Sequence, residues 1–198
     1  MLFRIVIVLF SVVAFINGCN SLISRVAGTH KLRQYSMEQV VQEGIGDADY
    51  IVAASAWRSG DFVHTPPLKR GYKPVLAYPV LSKTQMDSLE KGMRVHPAVI
   101  AWTQRFDGNC VNAGACAPKE EFILEGITRK IDKERNRVQA LPKERYVISE
   151  NITQLEIGRE PLAWYWNLAI MLAALILGGG TEWYHSRKAK NTTDSPQQ

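Results

Sequence analysis

Over residues 162–180 the chain carries no charge, and Asn167 is its one strongly polar side chain. A helix of that length covers close to the ~30 Å of a bilayer core, so this segment is long enough to span. Trp164, Tyr165 and Trp166 stand at one end and Trp183 and Tyr184 at the other, where amphipathic rings sit at headgroup depth and anchor a span. His185, Arg187, Lys188 and Lys190 follow, and the positive-inside bias places that tail in the cytoplasm. The middle of the chain is then expected to face outward.

The N-terminus carries a different signal. Residues 5–16 are apolar except for Ser11 and follow Arg4, but as a helix they reach only ~18 Å, the size of a signal-peptide core. Ile16-Asn17-Gly18-Cys19 resembles a bacterial lipobox, with Asn17 where a small residue is usual and Cys19 as the residue to be lipidated. The alternative is an uncleaved signal anchor stretching through Leu22 and Ile23. The expected organisation is a signal peptide or anchor at 1–18, an extracytoplasmic domain at 19–160, a transmembrane helix at 161–184 and a cytoplasmic tail at 185–198. That layout belongs to a bacterial inner-membrane protein with its main domain in the periplasm.

The cysteines agree with export. Beyond Cys19, only Cys110 and Cys116 remain, flanking a segment whose Asn112 and Gly114 favour a turn. In an oxidising compartment the pair is expected to bond and to close a hairpin tip, a local constraint of about 2 kcal/mol. The rival is two free thiols or half a metal site, although no histidine lies near and the spacing is not that of a zinc site.

The exported stretch reads as α+β: a small strand-rich domain with two short helices. Ser36 with Gln39 and Ser82 with Gln85 form two capping boxes, and Gly44 and Gly92 supply the stops. Six strands are expected at 50–57, 74–81, 98–106, 121–130, 145–149 and 152–157, where β-branched and aromatic residues gather. Pro74 and Pro79 cannot donate to a ladder, which demotes their run to an edge, a bulge or a broken strand. Each capped helix precedes a strand ending in Ala-Trp, at Ala56-Trp57 and Ala101-Trp102, but the unequal spacing favours common grammar over duplication. Trp57, Trp102 and Tyr78 are expected in the core.

Charge excludes some functions and nominates few. A net charge of +5 is too mild for a nucleic-acid binder, and no cofactor or metal is expected. The basic run from Arg129 to Arg145, interleaved with Asp132, Glu134 and Glu144, reads as a solvated turn more readily than as a patch for lipid headgroups. Gly158, Arg159 and Glu160 leave almost no tether before the span. No HExxH, GxSxG, Walker loop or GxGxxG occurs. His64 and His96 lie in segments with no acidic neighbour at ligand spacing, His30 is the third exported histidine, and Asp47 and Asp49 read as helix breakers before a strand. The sequons at Asn151 and Asn191 bear only on a eukaryotic secretory route.

Three functions are consistent with this reading. The first is a non-enzymatic membrane-anchored protein that presents its domain to an envelope or membrane partner. Ala163, Asn167, Ala174 and Gly178 fall near one helical face, the composition that helix pairing in lipid prefers, and offer a surface for a second copy or another membrane protein. The second rests on layout: a lipobox at 16–19 and a span at 162–180 is similar to unimolecular spanins, phage lysis proteins. The likeness implies a lipidated Cys19 in the outer membrane and a strand-rich domain tying it to the inner one. The third is a membrane-proximal hydrolase, which needs at least two of His64, His96, Asp61, Asp107 and Glu121 to meet in one pocket.

Overall fold

The computed structural model describes residues 2–29, 31–67, 69–161 and 163–193. His30, Leu162 and the end of the expected tail, 194–198, lie outside the described residues. In chain order the elements are α1 (Leu2–Ala27), β1 (Arg33–Ser36), α2 (Met37–Glu43), β2 (Tyr50–Arg58), β3 (Val63–Thr65), β4 (Val75–Leu81), α3 (Lys83–Glu90), β5 (Val99–Thr103), α4 (Gly108–Ala113), β6 (Glu121–Thr128), β7 (Thr153–Ile157) and α5 (Trp164–Thr193). The chain divides into two compact units, one of them Lys31–Pro161 and the other built from the two terminal helices.

Both capping boxes form as written in the sequence. Gln39 N donates to Ser36 Oγ at 3.2 Å while Ser36 N donates to the Gln39 side chain at 2.8 Å, and Ser82 with Gln85 repeats the exchange at 3.3 and 3.2 Å. Two otherwise orphaned backbone donors are thereby satisfied at each start. Gly44 ends α2 with φ +74, and Gly92 follows α3 at φ +78, conformations that cost a residue without Cβ little. The strands flanking α2 are parallel while those flanking α3 are antiparallel, so the two Ala-Trp segments are not copies of one unit.

The sheet runs β1-β2-β6-β7-β5-β4-β3, and a further pairing of β2 with β4 closes it. Five strands, β2, β6, β7, β5 and β4, therefore form a barrel, with β1 and β3 added at its margins. Within it β6-β2-β4-β5 has the order of a Greek key, and β7 completes the ring by pairing parallel to β5. Small five-stranded Greek-key barrels include the OB architecture, a likeness of form that carries no function of its own.

The barrel interior is filled by alternate residues: Ile51, Ala53 and Ala56 from β2, Leu76, Tyr78 and Val80 from β4, Val99 and Ala101 from β5, Leu124 and Leu155. Ala53 and Ala56 are three residues apart and both point inward because a bulge lies between them, Ala54 and Ser55 of β2 facing the single Ile123 of β6. Ser55 takes up the extra residue at φ +56. A second core covers the outer face of β4 and β5, where Val75, Ala77, Leu81, Ile100 and Trp102 meet Met86 and Leu89 of α3 and Ile131, Val138, Leu141, Tyr146 and Ile152.

That double burial corrects the reading of residues 74–81. All seven residues of β4 are buried, and the strand is interior. Pro79 is tolerated because β3 pairs only with Val75, Leu76 and Ala77, and β2 only with Val80 and Leu81. Tyr78 and Pro79 thus lack a strand on that side, and no ladder bond is lost there. Residues 145–149 are also corrected: they form no strand, only a bridge between Val95 and Tyr146. The amides of Arg145 and Tyr146 turn back to the Pro142 carbonyl at 3.1 and 3.0 Å, so the segment packs over the outer core as a turn. The basic run is only partly a wet face, since Arg135 is buried and pairs with Asp132.

Cys110 and Cys116 are joined, with Cα atoms 4.7 Å apart. The bond closes no hairpin tip. Asp107 caps α4 by accepting from Asn109 N at 2.9 Å, Gly114 ends it in the left-handed region, and the disulfide staples helix to exit.

The terminal unit pairs α1 with α5 antiparallel. Arg4 meets Glu182 in an ion pair, Ser11 lies against Gly178, and Gly18 lies against Met171 and the Asn167 carbonyl. Both helices are long and apolar enough to cross a membrane, over Phe3–Val26 and Trp164–Arg187. Helix α1 runs unbroken through Ile16-Asn17-Gly18-Cys19, and its 26 residues reach about 39 Å, twice the length expected of the apolar run alone.

Candidate functional site

Strands β5 and β7 run parallel, with Trp102 beside Glu156, so their C-terminal ends emerge side by side. Lys73 reaches the same place because Leu76 of β4 pairs with Thr103. Together Lys73, Thr103, Arg105, Glu156, Gly158 and Arg159 line a polar cleft of about 220 Å³.

Glu156 is only 7% exposed. A buried carboxylate is costly unless paired, and here Arg129 Nη1 donates to it at 3.0 Å and Arg159 Nη1 at 3.0 and 3.2 Å. The loop after β5 is tied by Arg105 N donating to Thr103 Oγ1 at 3.0 Å, and Gly158 turns the chain after β7 at φ +69. Among the described residues neither Lys73 nor Arg105 makes an ion pair. Lys73, Arg105 and Arg159 thus line one cleft with a carboxylate that is already paired. Such a cleft supplies positive charge and fixed hydrogen-bond donors, the means to hold an anion.

A second polar cluster lies under the outer core. The Tyr146 hydroxyl donates to Asp61 at 2.5 Å and sits 2.7 Å from Ser59 Oγ, while Arg145 Nη1 pairs with the same carboxylate at 2.6 Å. Burial pushes the Tyr146 phenol above its ordinary value, and the hydrogen bond to Asp61 raises it further.

The five residues considered for hydrolysis each make contacts of their own. Asp61 serves Tyr146 and Arg145, His64 stands edge-on to Phe106 at 5.7 Å, and His96 accepts from Gln85 through its carbonyl. Asp107 caps α4 and Glu121 opens β6 opposite Trp57. Among the described residues no hydrogen bond or ion pair joins any two of them, and no group of three His, Cys, Asp or Glu residues is placed to hold a metal ion.

Of the expected core aromatics, Tyr78 and Trp102 are buried, and Trp102 Nε1 donates to the Arg129 carbonyl at 2.7 Å. Trp57 is half-buried with the Lys83 ammonium 4.7 Å from its ring centre. Trp164, Tyr165, Trp166, Trp183 and Tyr184 are all exposed on α5. Cys19 is half-buried, its sulfur 3.9 Å from Met171 Sδ. The face carrying Asn167, Ala174 and Gly178 is covered by α1 of the same chain, and Ala163 is half-buried. Sequence reasoning missed the cleft because its residues come from three separate segments; the one available signal was a pair of strands each followed by a basic residue, Arg105 and Arg159. Comparison with protein families, with characterised proteins and with solved structures finds no match to this chain.

Proposed function

We propose that this chain is a two-span membrane protein of non-enzymatic, interaction or structural type. In this reading it holds its barrel on the periplasmic side of a bacterial inner membrane, with both termini in the cytoplasm, and presents the barrel to an envelope partner. The observation that carries this is the antiparallel pairing of α1 with α5, closed by Arg4 and Glu182. Two spans paired in this way return both ends to one side, and the basic residues after Trp183 assign that side to the cytoplasm. The disulfide in the intervening unit suits an oxidising compartment.

The same pairing bears on the two other readings. Lipidation requires cleavage ahead of Cys19, which removes Arg4 and Ser11 from the pair, and a spanin layout sends the two ends to different membranes. For a hydrolase, no hydrogen bond or ion pair among the described residues joins any two of its candidate residues.

Reporter fusions test the topology: an alkaline phosphatase fused after Gln198 should be inactive, and one fused within the link after Ala27 should be active. Intact mass spectrometry should find the N-terminal segment still attached. An exported C-terminus, or a mature chain starting at a lipidated Cys19, overturns the reading. Crosslinking in native membranes should capture an envelope protein on the barrel; a barrel with no neighbour under any condition counts against the interaction role.

A further inference from the structure

The cleft at the ends of β5 and β7 holds more positive charge than its surroundings neutralise. Arg159 shares the Glu156 carboxylate with Arg129, whereas Lys73 and Arg105 make no ion pair among the described residues. We propose that this cleft binds the phosphate of an anionic phospholipid headgroup belonging to the membrane in which the chain is anchored. The proposal rests on the membrane-anchored reading above and names one partner for it.

Three features argue for that ligand. The charge is concave: cations in a cleft with low-dielectric walls focus their field on its mouth, and guanidinium groups match phosphate oxygens in a fork of fixed geometry. The cleft is also preformed, since its walls are the ends of two paired strands, the loop after β5 is tied through Thr103, and Glu156 holds the Arg159 guanidinium in place. Finally, on the membrane-anchored reading the link from the cleft to the span is short. Arg159 precedes Trp164, the first ring of the aromatic belt, by five residues, which span at most about 18 Å when fully extended. On that reading, lipid phosphate is the anion that so short a link keeps at high local concentration.

The full chain in neutral detergent can be titrated with short-chain phosphatidylglycerol, short-chain phosphatidylcholine and sodium phosphate, with binding read by native mass spectrometry. Phosphatidylglycerol should bind, and phosphatidylcholine should bind at least about tenfold more weakly. The double variant Lys73→Gln, Arg105→Gln should lose about tenfold or more of the phosphatidylglycerol affinity, as expected for two basic side chains near a charged headgroup. Lys130→Gln with Lys133→Gln, equal in charge but outside the cleft, should stay within about twofold of the parent. The near-ultraviolet dichroism of buried Trp102 reports whether each variant keeps its fold.

Retained affinity in the cleft variant overturns the proposal, as does an equal loss in the control, which would mean diffuse attraction alone. Inorganic phosphate binding as tightly as the lipid would make the cleft a soluble-oxyanion site and overturn the lipid assignment. The titration is independent of the reporter fusions, so this inference and the proposed topology fail separately.

Discussion

The two units of this chain are built inside out relative to each other. In the barrel unit the large apolar side chains of β2, β4, β5, β6 and β7 point inward or under α3, as the hydrophobic effect requires of a body in water. In the helix pair the large side chains point outward, with Phe10 67% and Ile176 72% exposed, while Ser11, Asn167 and Ala174 are 4 to 5% exposed between the helices. Water drives the first arrangement. Lipid removes that drive, because acyl chains are as apolar as leucine, and leaves close packing of small residues and a few polar contacts to hold helices together. On the membrane-anchored reading proposed above, one sequence encodes two solvents, and the small residues mark where protein meets protein in the second.

The sharpest way to break this contrast is to cut the same kind of side chain in each unit. Leu155→Ala, at the centre of the barrel, should cost about 3 kcal/mol in denaturant unfolding of the full chain in detergent. Ile176→Ala, on the outer face of α5, should cost less than about 0.5 kcal/mol in the same measurement. Equal costs would mean that Ile176 is not lipid-facing.

Gly126 tests how tightly β6 and β7 close the ring. A Cβ there would lie 2.6 Å from the Glu156 carbonyl oxygen, so Gly126→Ala should cost about 2 kcal/mol through forced separation of the strands. Mutating Cys110 and Cys116 together to Ser should remove about 2 kcal/mol on the chain-entropy account, with protection against hydrogen exchange lost around α4 and kept in β4 and β5. In the helix pair the effects are smaller. Met171→Cys should form a crosslink with native Cys19 on mild oxidation, given their 3.9 Å sulfur contact, and adding Ser11→Leu should lower the yield by weakening the pair by about 1 kcal/mol.

The buried phenol offers a pH test. Tyr146 has its folded pKa raised above the ordinary value near 10 by burial and then by Asp61. Its contribution is therefore fully present below pH 10 and declines as the pH rises beyond that point, where the unfolded chain ionises first. Tyr146→Phe should flatten the loss of stability above pH 10, and an unchanged slope there would mean that another group controls it.

Much of the local structure was legible because local physics wrote it. The serine caps with glutamine three residues on, the glycine stops and the uncharged run before Thr181 each depend on a handful of neighbouring residues; the caps and stops appear where the sequence put them, and the run is helical from Trp164. The cysteine pair was legible from its isolation, although its setting, a short helix, was not. Residues 145–149 misled because β-branched and aromatic residues suit an outer core as well as a strand. Pro79 was half legible: it does sit where one flank of β4 lacks a neighbour, but the burial of the strand on both faces was not visible in the sequence. The five candidate catalytic residues were nominated by type alone, and the fold sends them to different partners.

By itself, then, the amino-acid order determined where the two serine-capped helices start and stop, that one uncharged run near the C-terminus matches the thickness of a bilayer, and which cysteines remain to pair. Those properties follow from contacts within a few residues or from length alone. Tertiary structure decided that β2 meets β4 to close a barrel, that β4 is buried on both faces, that α1 covers the small-residue face of α5, and that Lys73, Arg105 and Arg159 share one cleft. Each of these joins residues tens to more than a hundred positions apart, and whether such a contact forms depends on how the whole chain fills space.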